Sequence, residues 1–143
     1  RFNMNHIEFC FEDIEADTLN MDWKATEKWL FACVENYKPS IGEITYVFVS
    51  DEYLLKMNQD HLDHDYYTDI ITFNYNQDNE ISGDLFISID RIKDNANKIS
   101  VTFAEELKRV MIHGVLHLIG YNDSSEEEKT EMRNQENKCL ELA

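Results

Sequence analysis

A chain of 143 residues has the length of one domain and can bury a continuous core, and 43% hydrophobic residues with 12% aromatics is an ordinary globular composition. Its apolar runs, such as Tyr46-Val47-Phe48-Val49, fall far short of the roughly 20 residues of a membrane span, and the opening residues 1–6 lack the apolar core of a secretory leader, so a cytoplasmic protein without membrane partners is expected. Thirteen Lys and Arg against 29 Asp and Glu leave a net charge of −16, which repels nucleic acid unless a bound cation or a local basic strip receives it.

Residues 6–11 alternate and predict an opening strand. Residues 22–37 carry Trp23, Leu30, Phe31 and Val34 among polar neighbours and predict a helix capped near Asn20 or Asp22, punctuated afterwards by Pro39 and Gly42. Residues 43–49, rich in β-branched and aromatic side chains, give the clearest strand. Ser50 or Asp51 can cap a short helix bearing Tyr53, Leu54, Leu55 and Met57, and the polar, aromatic stretch 59–68 is expected to be an exposed loop.

Residues 69–73 and 84–89 predict two strands, joined by the polar segment 76–80 in a hairpin. A helix is expected over residues 90–100. Thr102 followed by Glu105 forms a capping box for a longer helix, on which Phe103, Leu107, Val110, Met111, Val115 and Leu118 recur at helical spacing up to Gly120. A last helix starts among Asp123, Ser124 and Ser125, with Met132, Cys139 and Leu140 on its inner side. The order predicts one α+β domain over residues 1–143, a small mixed four-stranded sheet covered by about five helices. Cys10, Cys33 and Cys139 are widely spaced, set among apolar neighbours and without a Cys-x-x-Cys pair, which reads as reduced, buried thiols.

The chemistry is concentrated in His113-Gly114-Val115-Leu116-His117-Leu118-Ile119-Gly120-Tyr121-Asn122-Asp123. Two histidines four apart share a helix face, so both imidazoles can reach one cation. Gly120 can end the helix and turn the chain sharply, which brings Asp123 round as a third ligand. Three protein ligands and an open position make up a catalytic zinc site, where bound water ionises near neutral pH. Asp123 also has a structural reading, because Asp123-Ser124-Ser125-Glu126 has the form of a capping box. The spacing is close to that of metzincin proteases, but Gly114 stands where those enzymes carry the general-base Glu, which argues against peptide hydrolysis.

The run HGVLHLIGYND resembles the signature H-G-x-L-H-L-x-G-Y-D-H of the YbeY family. Met57-Asn58, residues 68–73, residues 83–88, and Glu131-Met132 with Glu136 are similar to further family segments, so the likeness covers roughly residues 43–141. It implies a metal-dependent, single-strand-specific endoribonuclease acting in ribosomal RNA maturation, including the 3′ end of 16S rRNA, and in ribosome quality control. One Zn2+ would be held by His113, His117 and Asp123, and the partners would be the small ribosomal subunit and ribosome-assembly proteins.

The family's third histidine is Asp123 here, which makes any bound metal a weaker Lewis acid. Its phosphate-engaging Arg is replaced by Leu62, which leaves His61, His64, Lys108 and Arg109 as candidate cationic contacts to substrate. The plain reading of Lys108 and Arg109 is a solvated face with Glu105 and Glu106, and that of His61 and His64 an ordinary polar loop rather than a second metal site; Tyr66 and Tyr67 could stack on unpaired bases, with buried or half-buried tyrosines the commoner case. Loss of the Arg also allows a second reading, a non-catalytic metal-binding assembly factor.

Overall fold

The computed structural model describes residues 6–62 and 67–143, with Leu62 described only in its backbone. Its elements in chain order are β1 (His6–Phe11), α1 (Trp23–Val34), β2 (Ser40–Val49), α2 (Asp51–Leu62), β3 (Ile70–Asn74), β4 (Glu80–Ser88), α3 (Ile89–Ile99), α4 (Phe103–Ile119) and α5 (Glu126–Leu140). A turn of 3-10 helix at Ala16–Leu19 precedes α1 and lacks a sequence signal of its own. The sheet has the order β1-β2-β4-β3; β1 and β4 flank β2 in parallel, and β3 runs antiparallel to β4. The β3–β4 connection closes on a two-residue turn with Asp78 at φ 53°, as its polar residues predicted.

Period-two alternation divides the sheet's side chains between two cores. Ile44, Tyr46 and Phe48 of β2, with Leu85 and Ile87 of β4, face the large core made with α1, α3, α4 and α5. Val47 and Val49 point the other way, to Leu54 of α2 and Ile71 of β3. The buried Tyr46 hydroxyl donates to the Met111 carbonyl at 2.9 Å and ties the sheet to α4. The Trp29 indole donates to the Cys139 carbonyl at 2.8 Å and ties α1 to α5.

Several boundaries differ from the sequence expectation for local reasons. α2 continues through Gln59, Asp60, His61 and Leu62, the first part of the expected loop, and its exposed face carries a Lys56–Asp60 pair at 3.3 Å. Residues 63–66 of that loop, with His64 and Tyr66, lie outside the described residues. α1 stops at Val34, three residues before Tyr37, and its cap is Asp22, which accepts from the Ala25 amide at 3.1 Å. α3 begins at Ile89 because Ser88 takes the capping position. The three thiols are free, Cys33 and Cys139 buried and Cys10 half-buried.

The joint between α2 and α3 is ionic. Asp51 accepts from Arg91 Nη2 at 2.5 Å and from the Ser88 hydroxyl at 2.7 Å. Burial opposes ionisation of Asp51, but the hydrogen bonds from Arg91 and Ser88 and the guanidinium charge outweigh it and hold the carboxyl below its usual range. A lowered folded-state pKa adds stability above the unfolded value of about 3.9, and that stability is lost as pH falls through the folded value. Asp51→Ala is therefore expected to cost about 1.5–3 kcal/mol at pH 7. Urea denaturation of both proteins should show the gap narrowing as pH falls below about 3.9.

Candidate metal centre

α4 is placed against the sheet by its one internal glycine. A Cβ at Gly114 would collide with Leu85 Cδ2 and approach Ile70 Cδ1 at 2.8 Å, so the helix lies closer to β3 and β4 than any other residue here permits. Position 114 therefore faces the sheet. A carboxylate there would point into the core, which removes the metzincin comparison on geometric grounds. His113, the preceding residue, and His117, one turn on, stand half-buried on the flank of α4 beside that sheet-facing position.

The turn after α4 supplies the third group. Gly120, at φ 126°, follows the helix in a Schellman arrangement: its amide donates to the His117 carbonyl at 3.1 Å and the Tyr121 amide to the Leu116 carbonyl at 3.0 Å. Tyr121 then packs edge-on to Tyr37, with ring centroids 6.0 Å apart, and the chain doubles back through Asp123. The cap of α5 is Ser125, in a reciprocal capping box with Glu128, and the Glu128 carboxylate also accepts from the Ser124 amide. The structural reading of Asp123 as the capping residue is thus corrected, because the box sits two residues later. The Asp123 carboxylate turns instead toward the two histidines.

His113 Nε2 lies 3.1 Å from His117 Nε2 and 3.3 Å from Asp123 Oδ2, and His117 Nε2 lies 3.6 Å from the same oxygen. Tetrahedral zinc with bonds of 2.0–2.2 Å separates its donors by about 3.3 Å, so the triangle already has the right edge length. The His113 ring is oriented by Glu136 of α5, whose Oε2 is 2.7 Å from His113 Nδ1. Donation from Nδ1–H leaves the Nε2 lone pair toward Asp123, and two lone pairs at this distance repel unless a proton or metal ion lies between them. The donor set therefore fits a divalent metal.

Glu136 is buried and held at both oxygens, with Arg109 Nη1 donating to Oε1 at 2.9 Å. Burial alone would raise its pKa; hydrogen bonds from His113 and Arg109 prevail and keep it below the usual carboxylate range. For His113, burial disfavours the imidazolium, but the Glu136 hydrogen bond and the charges of Glu136, Asp123 and Asp69 outweigh it and raise the pKa.

A cavity of about 360 Å³ opens beside His113 and Asp123, walled by Arg109 of α4 and Lys129, Met132 and Arg133 of α5. Asp69, at the start of β3, and the buried Glu106 also face it. Burial raises the pKa of both carboxyls; for Glu106 the like charge of Asp69 adds to the effect, and Arg109 and Arg133 oppose it.

His113, His117 and Asp123 come together as the sequence predicted, and Arg109 joins them through Glu136. Lys108 turns aside and sits 5.9 Å over the Trp29 ring, next to a separate cavity. Lys108 and Arg109 are half-buried and Glu106 is buried, so the reading as a solvated face is corrected. His61 is exposed on α2, which packs on the opposite face of the sheet from α4. Tyr67 is exposed, with Arg91 5.3 Å over its ring and its hydroxyl on Glu52. Sequence reading missed the roles of Glu136, Arg133, Glu106 and Asp69, because their chemistry depends on packing between segments.

A mixed four-stranded sheet whose main helix and following turn bring three donors together defines a small α+β protein with a donor set that could hold a metal ion. Residues 11–143 match the family profile described as Endoribonuclease YbeY, and the chain belongs to this family. It is 46% identical over 134 residues to Endoribonuclease YbeY of Parabacteroides distasonis, covering 94% of this chain and 93% of the relative. It is 54% identical over 115 residues to the protein of that name from Cytophaga hutchinsonii, covering 80% of each. The solution structure of the TM1509 protein from Thermotoga maritima shares the fold, with a TM-score of 0.70 and 24% identity over 96% of this chain and 88% of that one.

Because capping and ligation fall on different residues, substitutions separate them. Asp123→Asn is expected to leave the metal-free melting temperature unchanged and to weaken zinc binding about 10–100-fold or more. Ser125→Ala should do the reverse, costing about 0.5–2 kcal/mol of stability with zinc affinity retained. Chelator competition and melting of the metal-free proteins supply both numbers.

Proposed function

We propose that this chain is a metal-dependent endoribonuclease that hydrolyses phosphodiester bonds in single-stranded ribosomal RNA, working in the cytoplasm on the small ribosomal subunit and its assembly partners. Membership of the YbeY family supports the nuclease reading, and the converging donors of His113, His117 and Asp123 carry it. No helix among the described residues is long and apolar enough to cross a membrane. Three free thiols suit a reducing compartment.

The metal is zinc in this reading, because two of the three protein ligands are imidazoles. When bound, the ion supplies a Lewis acid and a water acidic enough to attack phosphorus near neutral pH. It also gives a polyanion a point of approach on a chain of net charge −16. The chain's own contribution is orientation: Glu136 holds His113 in one tautomer, Arg109 holds Glu136, and His117 completes the pair from the next turn of α4. Substrate contacts are assigned first to Arg109, at the wall of the cavity beside the site, with Lys108, beside a separate cavity, and His61, on the far face of the sheet, as more distant candidates.

Protein loaded with zinc at neutral pH should hold about one ion per chain, and His113→Ala should lose it. Protons compete for the imidazoles, so occupancy falls on acidification, and the raised pKa of His113 starts that fall above the reference value of about 6.5. Loaded wild type should cut a labelled single-stranded RNA that the His113→Ala protein, purified identically, leaves intact. Metal binding without cleavage would favour the assembly-factor reading.

A further inference from the structure

The cavity beside the metal donors contains a group that packing alone does not account for. Glu106 is 7% exposed and lines the cavity, and among the described residues its carboxylate accepts no hydrogen bond and makes no ion pair; since no fully enclosed side-chain oxygen there lacks a partner, its oxygens reach the cavity space. A largely buried carboxylate whose oxygens open only on a cavity is placed to accept a hydrogen bond from a ligand bound there. Arg109, the nearest cation on α4, is already committed to Glu136 and Asn137.

The cavity's mouth has the opposite character. Lys129 and Arg133, four residues apart on α5, line it with side chains 58% and 59% exposed. Their ion pairs are loose, Lys129 to Glu126 at 3.7 Å and Arg133 to Glu136 at 3.7 Å. Two exposed cations one helical turn apart, above an acceptor open to the cavity, complement a ligand that is anionic at one end and hydroxylic at the other. A volume of about 360 Å³ is at the small end of ligand cavities and accommodates one nucleotide.

We propose that this cavity is a ribonucleotide subsite of the nuclease, in which Lys129 and Arg133 take a phosphate flanking the scissile one and Glu106 accepts the hydrogen bond of that nucleotide's ribose 2′-hydroxyl. The inference rests on the endoribonuclease reading and deepens it, because it assigns the choice of RNA over DNA to one side chain. A carboxylate accepting from a ribose hydroxyl is the chemistry by which nucleotide sites recognise that sugar, and only RNA offers the 2′ donor. The two cations act on phosphate and are indifferent to the sugar.

The test uses the zinc-loaded full chain with one single-stranded oligonucleotide sequence prepared as RNA and as DNA. Binding is read by fluorescence anisotropy over a range of salt, and RNA cleavage is followed in parallel. Wild type is expected to prefer RNA about tenfold or more, the worth of a hydrogen bond to a charged acceptor. Glu106→Leu should bring the RNA/DNA ratio close to one, and Glu106→Gln, which keeps an oxygen acceptor without the charge, should lower it at least threefold. Both variants should melt no lower than wild type, since they relieve a buried charge. Lys129→Ala and Arg133→Ala should weaken RNA and DNA binding alike, each lowering the salt slope by about 0.7.

An RNA/DNA ratio unchanged in both Glu106 variants overturns the subsite, as does a lower melting temperature in both, which would give Glu106 a structural role. If wild type cleaves RNA while the ratio stays fixed, the nuclease reading stands and only this assignment fails. If wild type neither binds nor cleaves RNA, both fail.

Discussion

The hydrogen bond between His113 Nδ1 and Glu136 Oε2 is the contact on which the site depends. It crosses 23 residues of sequence and joins α4 to α5 beneath the metal donors. A buried carboxylate is tolerable only when its oxygens are satisfied, and here the imidazole satisfies one and Arg109 the other. The same bond fixes which nitrogen of His113 is free. Without it the ring could present either tautomer to Asp123, and the donor triangle would exist for only part of the population.

Much of the surrounding structure holds those two helices at the distance the bond requires. Gly114 seats α4 on β3 and β4, and the Tyr46 hydroxyl fastens the same helix from β2. On the other side, Trp29 and Tyr37 hold α5 through the Cys139 carbonyl and the Gln135 side chain. The Schellman turn at Gly120 and the capping box at Ser125 then leave a short link in which Asp123 has no capping duty. Two candidate donors therefore stand on a clamped helix and the third on a turn fixed at both ends, an arrangement suited to the tolerance metal geometry demands.

The parts of this architecture governed by local chemistry were legible in the sequence. Alternation in β1 and β2, the polar hairpin before β4, the Thr102 cap and the His-x3-His spacing each express their structure within a few residues. Gly120 announced the reversal that brings Asp123 back. What escaped the sequence lies between segments. Ser125 took the cap from Asp123 because Glu128, three residues on, could close the reciprocal pair. α2 ran into a stretch read as loop because that stretch is polar, and an exposed helical turn is polar too. Glu136 appeared only as a position fitting the closing helix, since nothing local distinguishes a glutamate that will be buried against a histidine from the others on α5. Glu106 looked like one half of an acidic pair on a solvated face; only the packing of α5 over α4 shows it to be enclosed.

In the proposed site His113 and His117 present Nε2 to one ion, with His113 Nδ1 committed to Glu136. Substituting 113Cd for zinc in protein with 15N-labelled histidine tests this directly, because one-bond 113Cd–15N couplings and long-range proton–nitrogen correlations identify the nitrogen that binds metal and the nitrogen that keeps its proton. Coupling to Nε2 of both histidines and a retained proton on His113 Nδ1 are expected. Coupling through His113 Nδ1, or to neither ring, would contradict this arrangement.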